Sequence, residues 1–344
     1  MHPHIQHYID AVAQANAQTA HQGKIGLFNV TPAVSQKLRG AVRLSNAFLN
    51  QIRFVTKENI AGETVGIGAG LTASTTDTKG GNGSVRRQPK SVHSSEARRY
   101  LCQKVNFDTY IGYDDMDAWA HDPDYIKHIN SQIITSRALS LITMGFNGKT
   151  RAANSDISAH PLLEDCAKGW LQKLREENPA NVMGWETNAI GTTKKEVLIG
   201  KGQAYTSLDA MVENALNELI DEEFADTGDM VVICNRRDLG DKYFTIINEA
   251  GTKATEINAA QVILSQRRIG GLQAIAVPYF PKGSMLITPL SNLSIYFHKN
   301  GHRRKLSDEP EYDRIADYQS ENIDYIIEEN QAACLIENIK QQDA

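Results

Sequence analysis

The sequence predicts a mixed α+β fold, and three observations predict it. Apolar residues recur at helical spacing through Ile126, Ile129, Ile133, Ile134, Ala138, Leu141 and Ile142, the longest regular run in the chain. Short apolar, β-rich runs crowd the later part: Met230–Cys234, Ala274–Val277, Met285–Thr288, Leu293–His298, Ile323–Ile327 and Ala333–Ile339, punctuated by Pro278, Pro281 and Pro289. Between residues 62 and 91 seven Gly and eight Ser or Thr stand beside only four large aliphatics, Val65, Ile67, Leu71 and Val85. Such a segment cannot bury enough apolar surface to fold by itself. No internal repeat is visible.

In chain order, residues 1–24 are polar, rich in Ala, Gln and His, and read as a loosely held terminal arm with at most a helical turn. Thr31-Pro32 opens a helix, Thr31 as N-cap and Pro32 at the first helical position, carrying Val34, Leu38, Ala41, Val42, Phe48 and Leu49. A strand follows over Gln51–Thr56. A structureless loop as long as 62–91 is improbable inside a compact domain. Asn82-Gly83 near its middle favours a type I′ turn, so the segment reads as a two-stranded arm. An isolated hairpin is marginal in water, so this arm needs a surface to rest on, its own body or a neighbour's. Tyr100–Tyr113 reads as a strand, with Val105, Phe107, Thr109 and Ile111 alternating. Asp122-Pro123-Asp124 starts the long helix, which ends at Gly145 or Gly148. Further helices are expected at Pro161–Glu177, from N-cap Ser207 through Ile220, and near Asp238–Asn248.

With 41% hydrophobic and 22% charged residues, the 344-residue chain can build a sizeable core, which excludes a disordered or collagen-like polymer. No apolar run approaches the roughly 18 residues of a membrane helix. The His-rich start, Met1–Asp10, does not look like a secretory signal. Cys102, Cys166, Cys234 and Cys334 form no C-x-x-C pair, which argues against a zinc knuckle or redox dithiol and fits a reducing compartment. A net charge of -5 excludes a chain that is basic throughout, as many nucleic-acid binders are. The charge is uneven, however. Residues 1–108 carry a net +7 and residues 305–344 a net -8. These are either two solvated faces or interaction surfaces of opposite sign.

The chemical motifs fail on spacing. Gly66-Ile67-Gly68-Ala69-Gly70 has its third glycine one residue early for a dinucleotide fingerprint and opens no helix. Gly148-Lys149-Thr150 ends like a phosphate-binding loop, but Thr143 stands where that loop needs Gly, so a helix C-cap is the better reading. Asp114, Asp115, Asp117, Asp122 and Asp124 lack the glycine and closing Glu of a calcium loop and read as helix-start charges. His121 and His128 lie seven apart, too far for a zinc pair, and His2, His4 and His7 are terminal. There is no G-x-S-x-G elbow. No catalytic residue, cofactor or metal site is expected. The basic run Arg86, Arg87, Lys90, Arg98, Arg99 and Lys104 lacks the aromatic interleaving of a base-stacking surface. Pairing with an acidic protein surface, such as 305–344 of another copy, is favoured over direct nucleic-acid contact.

One family carries the pattern that remains. Val65-Gly66-Ile67-Gly68, Ala73-Ser74-Thr75-Thr76-Asp77-Thr78, Arg87-Gln88-Pro89-Lys90, Gly145-Phe146-Asn147-Gly148, Gly169-Trp170-Leu171-Gln172-Lys173 and Tyr205–Asp209 lie in order along it. Asp241-Lys242-Tyr243-Phe244, Ser265-Gln266-Arg267-Arg268-Ile269-Gly270, Val277-Pro278-Tyr279-Phe280-Pro281 and Asn322-Ile323-Asp324-Tyr325 continue it. From about Phe28 to about Ile339 the chain resembles tailed-bacteriophage major capsid proteins of the phage P-two type; the first 24 or so residues match poorly.

The resemblance implies the Hong Kong 97-type phage capsid fold. It implies an N-terminal arm (1–56, of which the first 24 to 30 or so are removed on maturation) and an extended β-hairpin loop (57–98). A peripheral domain (99–200) with a long spine helix at Pro123–Gly145 follows, then an axial domain (201–290) and return strands of the peripheral domain (291–344). The implied function is self-assembly into an icosahedral shell around double-stranded DNA. The implied partners are other copies in pentamers and hexamers, a scaffolding protein, a maturation protease, a portal protein and DNA bound non-specifically, with assembly in the host bacterial cytoplasm. The residues assigned to the subunit interface are Gly66, Gly68, Gly70, Gly80, Gly81, Asn82, Gly83, Arg86, Arg87 and Lys90. The glycines let the arm lie flat, and the bases pair with acids of a neighbour. An encapsulin-like compartment shell of the same fold and a soluble enzyme are the alternatives.

Overall fold

The computed structural model describes residues 3–16, 18, 25–65, 73, 97–119, 122, 124–188, 191–240 and 267–341. The chain opens with α1 (Pro3–Ala15), β1 (Ile25–Asn29), α2 (Pro32–Leu44), α3 (Ala47–Gln51), β2 (Arg53–Lys57) and β3 (Ala61–Val65). It continues with β4 (Ala97–Leu101), β5 (Gln103–Asn106), β6 (Thr109–Gly112), α4 (Tyr113–Ala118), α5 (Tyr125–Asn147) and α6 (Trp170–Glu177). Four short strands follow, β7 (Val182–Met183), β8 (Trp185–Asn188), β9 (Gly191–Lys194) and β10 (Val197–Ile199), then α7 (Leu208–Leu219), α8 (Glu222–Ala225) and β11 (Met230–Cys234). The last part is β12 (Arg268–Ile269), β13 (Leu272–Ala276), β14 (Met285–Pro289), β15 (Leu293–His298), β16 (Arg303–Glu309), β17 (Arg314–Ile327), β18 (Cys334–Ile336) and β19 (Ile339–Gln341).

The 14-residue strand β17 organises the first sheet. β15 and β16 run antiparallel to it one after the other, Leu293 opposite Ile327 and Glu309 opposite Arg314. β5 and β6 cover its other edge in one unbroken register, from Gln103 opposite Ile323 to Gly112 opposite Arg314. The strand expected at Tyr100–Tyr113 is instead divided: Tyr100 and Leu101 end β4, which pairs with β3, Cys102 breaks the run, β5 and β6 follow with an interruption at 107–108, and Tyr113 opens α4. β1 joins outside β16 and β2 outside β15. The second sheet has the order β12-β13-β11-β14-β18-β7. Its strands read as continuous apolar runs because both faces are covered. On one face α7 lays Met211, Val212 and Ala215 against Val232, Cys234 and Ile287. On the other, Val231, Ile233 and Leu286 join the core that α5 and α6 build over the first sheet.

Trp170 sits at the centre of that core, fully buried, among the rings of Phe48, Phe146 and Tyr325 at 6.4, 5.1 and 4.9 Å. Its Nε1 donates to the Ser294 carbonyl at 3.1 Å. Two glycines permit this approach. A Cβ on Gly145 would overlap the Trp170 ring, and one on Gly169 would overlap the Gly145 carbonyl.

Several expectations are corrected. The helix from Thr31 is interrupted: the Asn46 side chain accepts from Phe48 N and Leu49 N and so caps a separate α3. The helix expected at Pro161–Glu177 is confined to α6. The Glu164 carbonyl accepts from Lys149 N and Thr150 N, that of Asp165 accepts from Ala152 N, and Leu163 is left-handed at φ +59°. The backbone of 161–168 is therefore spent on its neighbours. Residues 3–16, expected as part of a loose arm, are instead packed. α1 buries Tyr8, Ile9, Val12 and Ala13 against Met116, Tyr125, Ile129, Leu306 and Ile315. The long helix spans 23 residues, about 34 Å at 1.5 Å per residue, and Gly148 is its C-cap. Asp114 and Asp115 lie in the first turn of α4, a helix not foreseen. β16 is likewise not among the strands expected from the sequence. The helix expected near Asp238–Asn248 is described only over 236–240, which is helical.

Candidate assembly surfaces

The residues assigned to the interface (Gly66, Gly68, Gly70, Gly80, Gly81, Asn82, Gly83, Arg86, Arg87 and Lys90) lie outside the described residues, as does Gly66–Gly70 as a whole. What is described is the base on either side of them. β3 and β4 form an antiparallel ladder from Ala61 opposite Leu101 to Val65 opposite Ala97.

This base is fixed to one end of β17. Arg98 donates to the carbonyls of Ile327 and Glu328 at 2.8 and 3.1 Å and to Glu329 Oε1 at 3.0 Å. Leu101 N donates to Asp324 Oδ2, and Lys173 holds the other Asp324 oxygen at 2.7 Å. The rings of Tyr100 and Tyr296 pack edge to face at 5.4 Å, with Lys57 Nζ 4.4 Å above Tyr296. Gly62 lies so close that a Cβ there would come 2.7 Å from the Tyr100 hydroxyl. Arg98, read from sequence as part of a basic run, is instead a half-buried anchor. Arg99 and Lys104 do face solvent.

The acidic end of the chain is equally different from its sequence reading, because most of its carboxylates turn inward. Glu321, about 1% exposed, accepts from Arg39 Nε at 2.6 Å and from Arg137, tying α2 and α5 to β17. Burial alone would raise the Glu321 carboxyl, but Arg137 and Arg39 outweigh it and hold it below the ordinary range. Asp317 pairs with Arg304, Asp324 with Lys173, Glu329 with Arg98 and Glu337 with Arg175. Glu328 accepts from the hydroxyls of Ser294 and Tyr296. None of these pairings is readable from spacing, since the partners lie up to 282 positions apart.

Among the described residues no three or more His, Cys, Asp or Glu side chains group as a metal site. Burial pushes the Cys102 and Cys234 thiols up to about 12 and raises Cys334 too, which leaves them unreactive at neutral pH. Among the described residues no helix is long and apolar enough to cross a membrane. Exposed aromatics are the outward feature instead: Tyr110, Trp119, Tyr312 and Tyr318 all lie toward the Arg314 end of the first sheet, and Tyr279 elsewhere.

A spine-like helix packed on a sheet, a second sheet capped by its own helix and an anchored base for a long Gly/Ser/Thr segment are the parts that a viral capsid subunit of the expected class contains. The chain matches the family described as "Phage major capsid protein, P2 family" over residues 4–339, and it belongs to that family. It is 45% identical over 339 residues to the capsid proteins of Escherichia phage P2, covering 98% of this chain and 93% of that protein. It is 37% identical over 341 residues to the major capsid protein of Serratia phage KSP20, covering 96% and 94%. Among solved structures, the satellite phage P4 procapsid including size determination (Sid) protein aligns over 100% of this chain and 99% of that one, with a TM-score of 0.81 and 41% identity. Microbacterium phage Oxtober96 shares the fold alone, at a TM-score of 0.51 and 13% identity over 86% of this chain and 91% of that one. The fold is therefore the Hong Kong 97-type capsid fold, and the chain is a structural subunit of a phage shell made of many copies. The family match starts at residue 4, so α1 lies within it, a correction to the expectation that the likeness begins near Phe28.

Proposed function

We propose that this chain builds an icosahedral shell that packages double-stranded phage DNA, acting through subunit interfaces and not as an enzyme. The observation that carries this reading is likeness over nearly the whole chain, at 45% identity, to the capsid proteins of a tailed phage. In this reading residues 1–56 are the N-terminal arm, 57–98 the extended loop, 99–200 the peripheral domain, 201–290 the axial domain and 291–344 the return strands. The anchored β3–β4 base supports a loop that reaches a neighbouring subunit, its glycines lying flat and Arg86, Arg87 and Lys90 pairing with acids there. Pentamers and hexamers of the chain close the shell in the host bacterial cytoplasm with a scaffolding protein and a portal protein. A maturation protease removes the first 24 to 30 or so residues, and α1 with them. DNA contact is non-specific, in keeping with a net charge of -5.

The test is expression with the neighbouring phage genes, followed by nuclease treatment of purified particles. Nuclease-protected double-stranded DNA is expected. Shells holding a protein cargo and no DNA would replace this reading with that of a compartment.

A further inference from the structure

We propose that the end of the first sheet around the Pro310–Tyr312 turn receives the basic stretch Lys79, Arg86, Arg87 and Lys90 of a second copy of this chain. The proposal rests on the capsid reading and names the acceptor that reading lacks.

Within the acidic segment 305–344 few carboxylates are left for such a contact. Of the acids that give residues 305–344 their negative charge, Asp317, Glu321, Asp324, Glu328, Glu329 and Glu337 are committed inside the subunit. Glu309 is held by Arg314 at 2.8 Å. Asp308 accepts from the Tyr113 hydroxyl. Among the described acids of this segment, the two that face outward are Glu311 and Asp313, at the turn itself. α4 brings Asp114 and Asp115 to the same end, because Tyr113 N donates to the Asp313 carbonyl at 2.9 Å and the Tyr113 hydroxyl to Asp308. Among the described residues no ion pair engages Asp114, Asp115, Glu311 or Asp313.

The acids are set among aromatic rings held in place. Tyr110 and Tyr312 are 67% and 66% exposed, yet both rest on the Arg314 guanidinium, 5.2 and 4.7 Å from the ring centroids. Tyr318 braces the same site by donating to Glu309 at 2.6 Å. A cleft of about 370 Å³ beside them is lined by Tyr110, Asp115 and Trp119. Rigid Tyr and Trp side chains lose little entropy on binding, and carboxylates beside ring faces suit guanidinium groups in particular.

Geometry selects a second copy over the chain's own segment. The β3–β4 base is anchored at Asp324–Glu329, while the acceptor lies at Arg314, the opposite end of a 14-residue strand, about 45 Å away at the usual rise. A donor based at one end of a subunit and an acceptor at the other make a head-to-tail contact, the type that closes rings. Between residues 78 and 95 the sequence holds those four bases and no acid.

Reciprocal charge exchange tests this. Asp313 is left-handed at φ +49°, so it is changed to Asn, which tolerates that conformation, while Glu311→Arg reverses the charge. Expressed with the neighbouring genes, Glu311→Arg with Asp313→Asn, and separately Arg86→Glu with Arg87→Glu, should each cut particle yield by roughly tenfold. All four changes together should restore it, while the thermal midpoint of the unassembled subunits stays unchanged. Yield unaffected by either pair, or a loss that the combination does not rescue, would overturn the proposal. Absence of particles from the unsubstituted chain would refute the capsid reading instead.

Discussion

Replacing Glu321 by Gln removes one negative charge and almost no volume. The carboxylate is about 1% exposed, and the Arg39 and Arg137 side chains it serves are 8% and 6% exposed. Both guanidiniums also lie against rings, Arg39 over Phe297 at 4.6 Å and Arg137 over Phe107 at 4.4 Å, so neither can swing to water without unpacking the core. Arg137 would keep Gln319 Oε1 at 3.1 Å and Arg39 would keep Thr56 at 3.2 Å, but two buried cations would face each other uncompensated. Breaking a buried pair in this way costs about 3–5 kcal/mol. For 344 residues the unfolding entropy is about 0.7 kcal/mol/K, so the midpoint should fall by about 4–7 °C. Urea titration and calorimetry of the unassembled subunit measure both quantities. A loss below about 1 kcal/mol would show that these charges reach solvent and that the network does not hold α2 and α5 to β17.

Gly145→Ala should destabilise by about 1–3 kcal/mol through collision with Trp170, against a helix-propensity gain of about 1 kcal/mol, and quench the native tryptophan signal in urea titrations. His302 is buried, with Nδ1 3.0 Å from Ser35 Oγ; burial chiefly, aided by Arg137 and Arg39 against Glu321, pushes it down to about 4. The unfolded chain takes up that proton near 6.5, so the contribution is intact above pH 6.5 and is lost as pH falls to about 4. The loss amounts to about 3 kcal/mol, and His302→Asn should flatten that part of the pH–stability curve. A chain beginning at residue 25 should bind a hydrophobic dye such as ANS more strongly, because Met116, Tyr125, Ile129, Leu306 and Ile315 lose their cover.

Strongly periodic or fully apolar elements were legible in the sequence. Met230–Cys234 and Leu293–His298 match the expected bounds residue for residue, and Ser207 caps α7 as its spacing implies. Competing hydrogen bonds were not legible. Asn46 splits one helix into two, and the Glu164 and Asp165 carbonyls divert 161–168 from a helix to 149–152. Both effects are tertiary or side-chain choices that leave periodicity unchanged. The hydrophobic face of α1 was hidden because Tyr8, Ile9, Val12 and Ala13 are interleaved with Ala, Gln and His. The charge asymmetry was visible but its meaning was not, since distant arginines neutralise Glu321, Asp317, Glu329 and Glu337 inside the subunit.

Closed assembly is the property that most directly defines a shell subunit. Electron cryomicroscopy of particles purified after expression with the neighbouring phage genes measures it most directly. The expected result is a closed icosahedral shell in which this chain, with β17 and α5 recognisable in the density, surrounds five-fold and six-fold positions. A protein that stays a monomer or dimer under those conditions, or that forms only open and irregular aggregates, would contradict it.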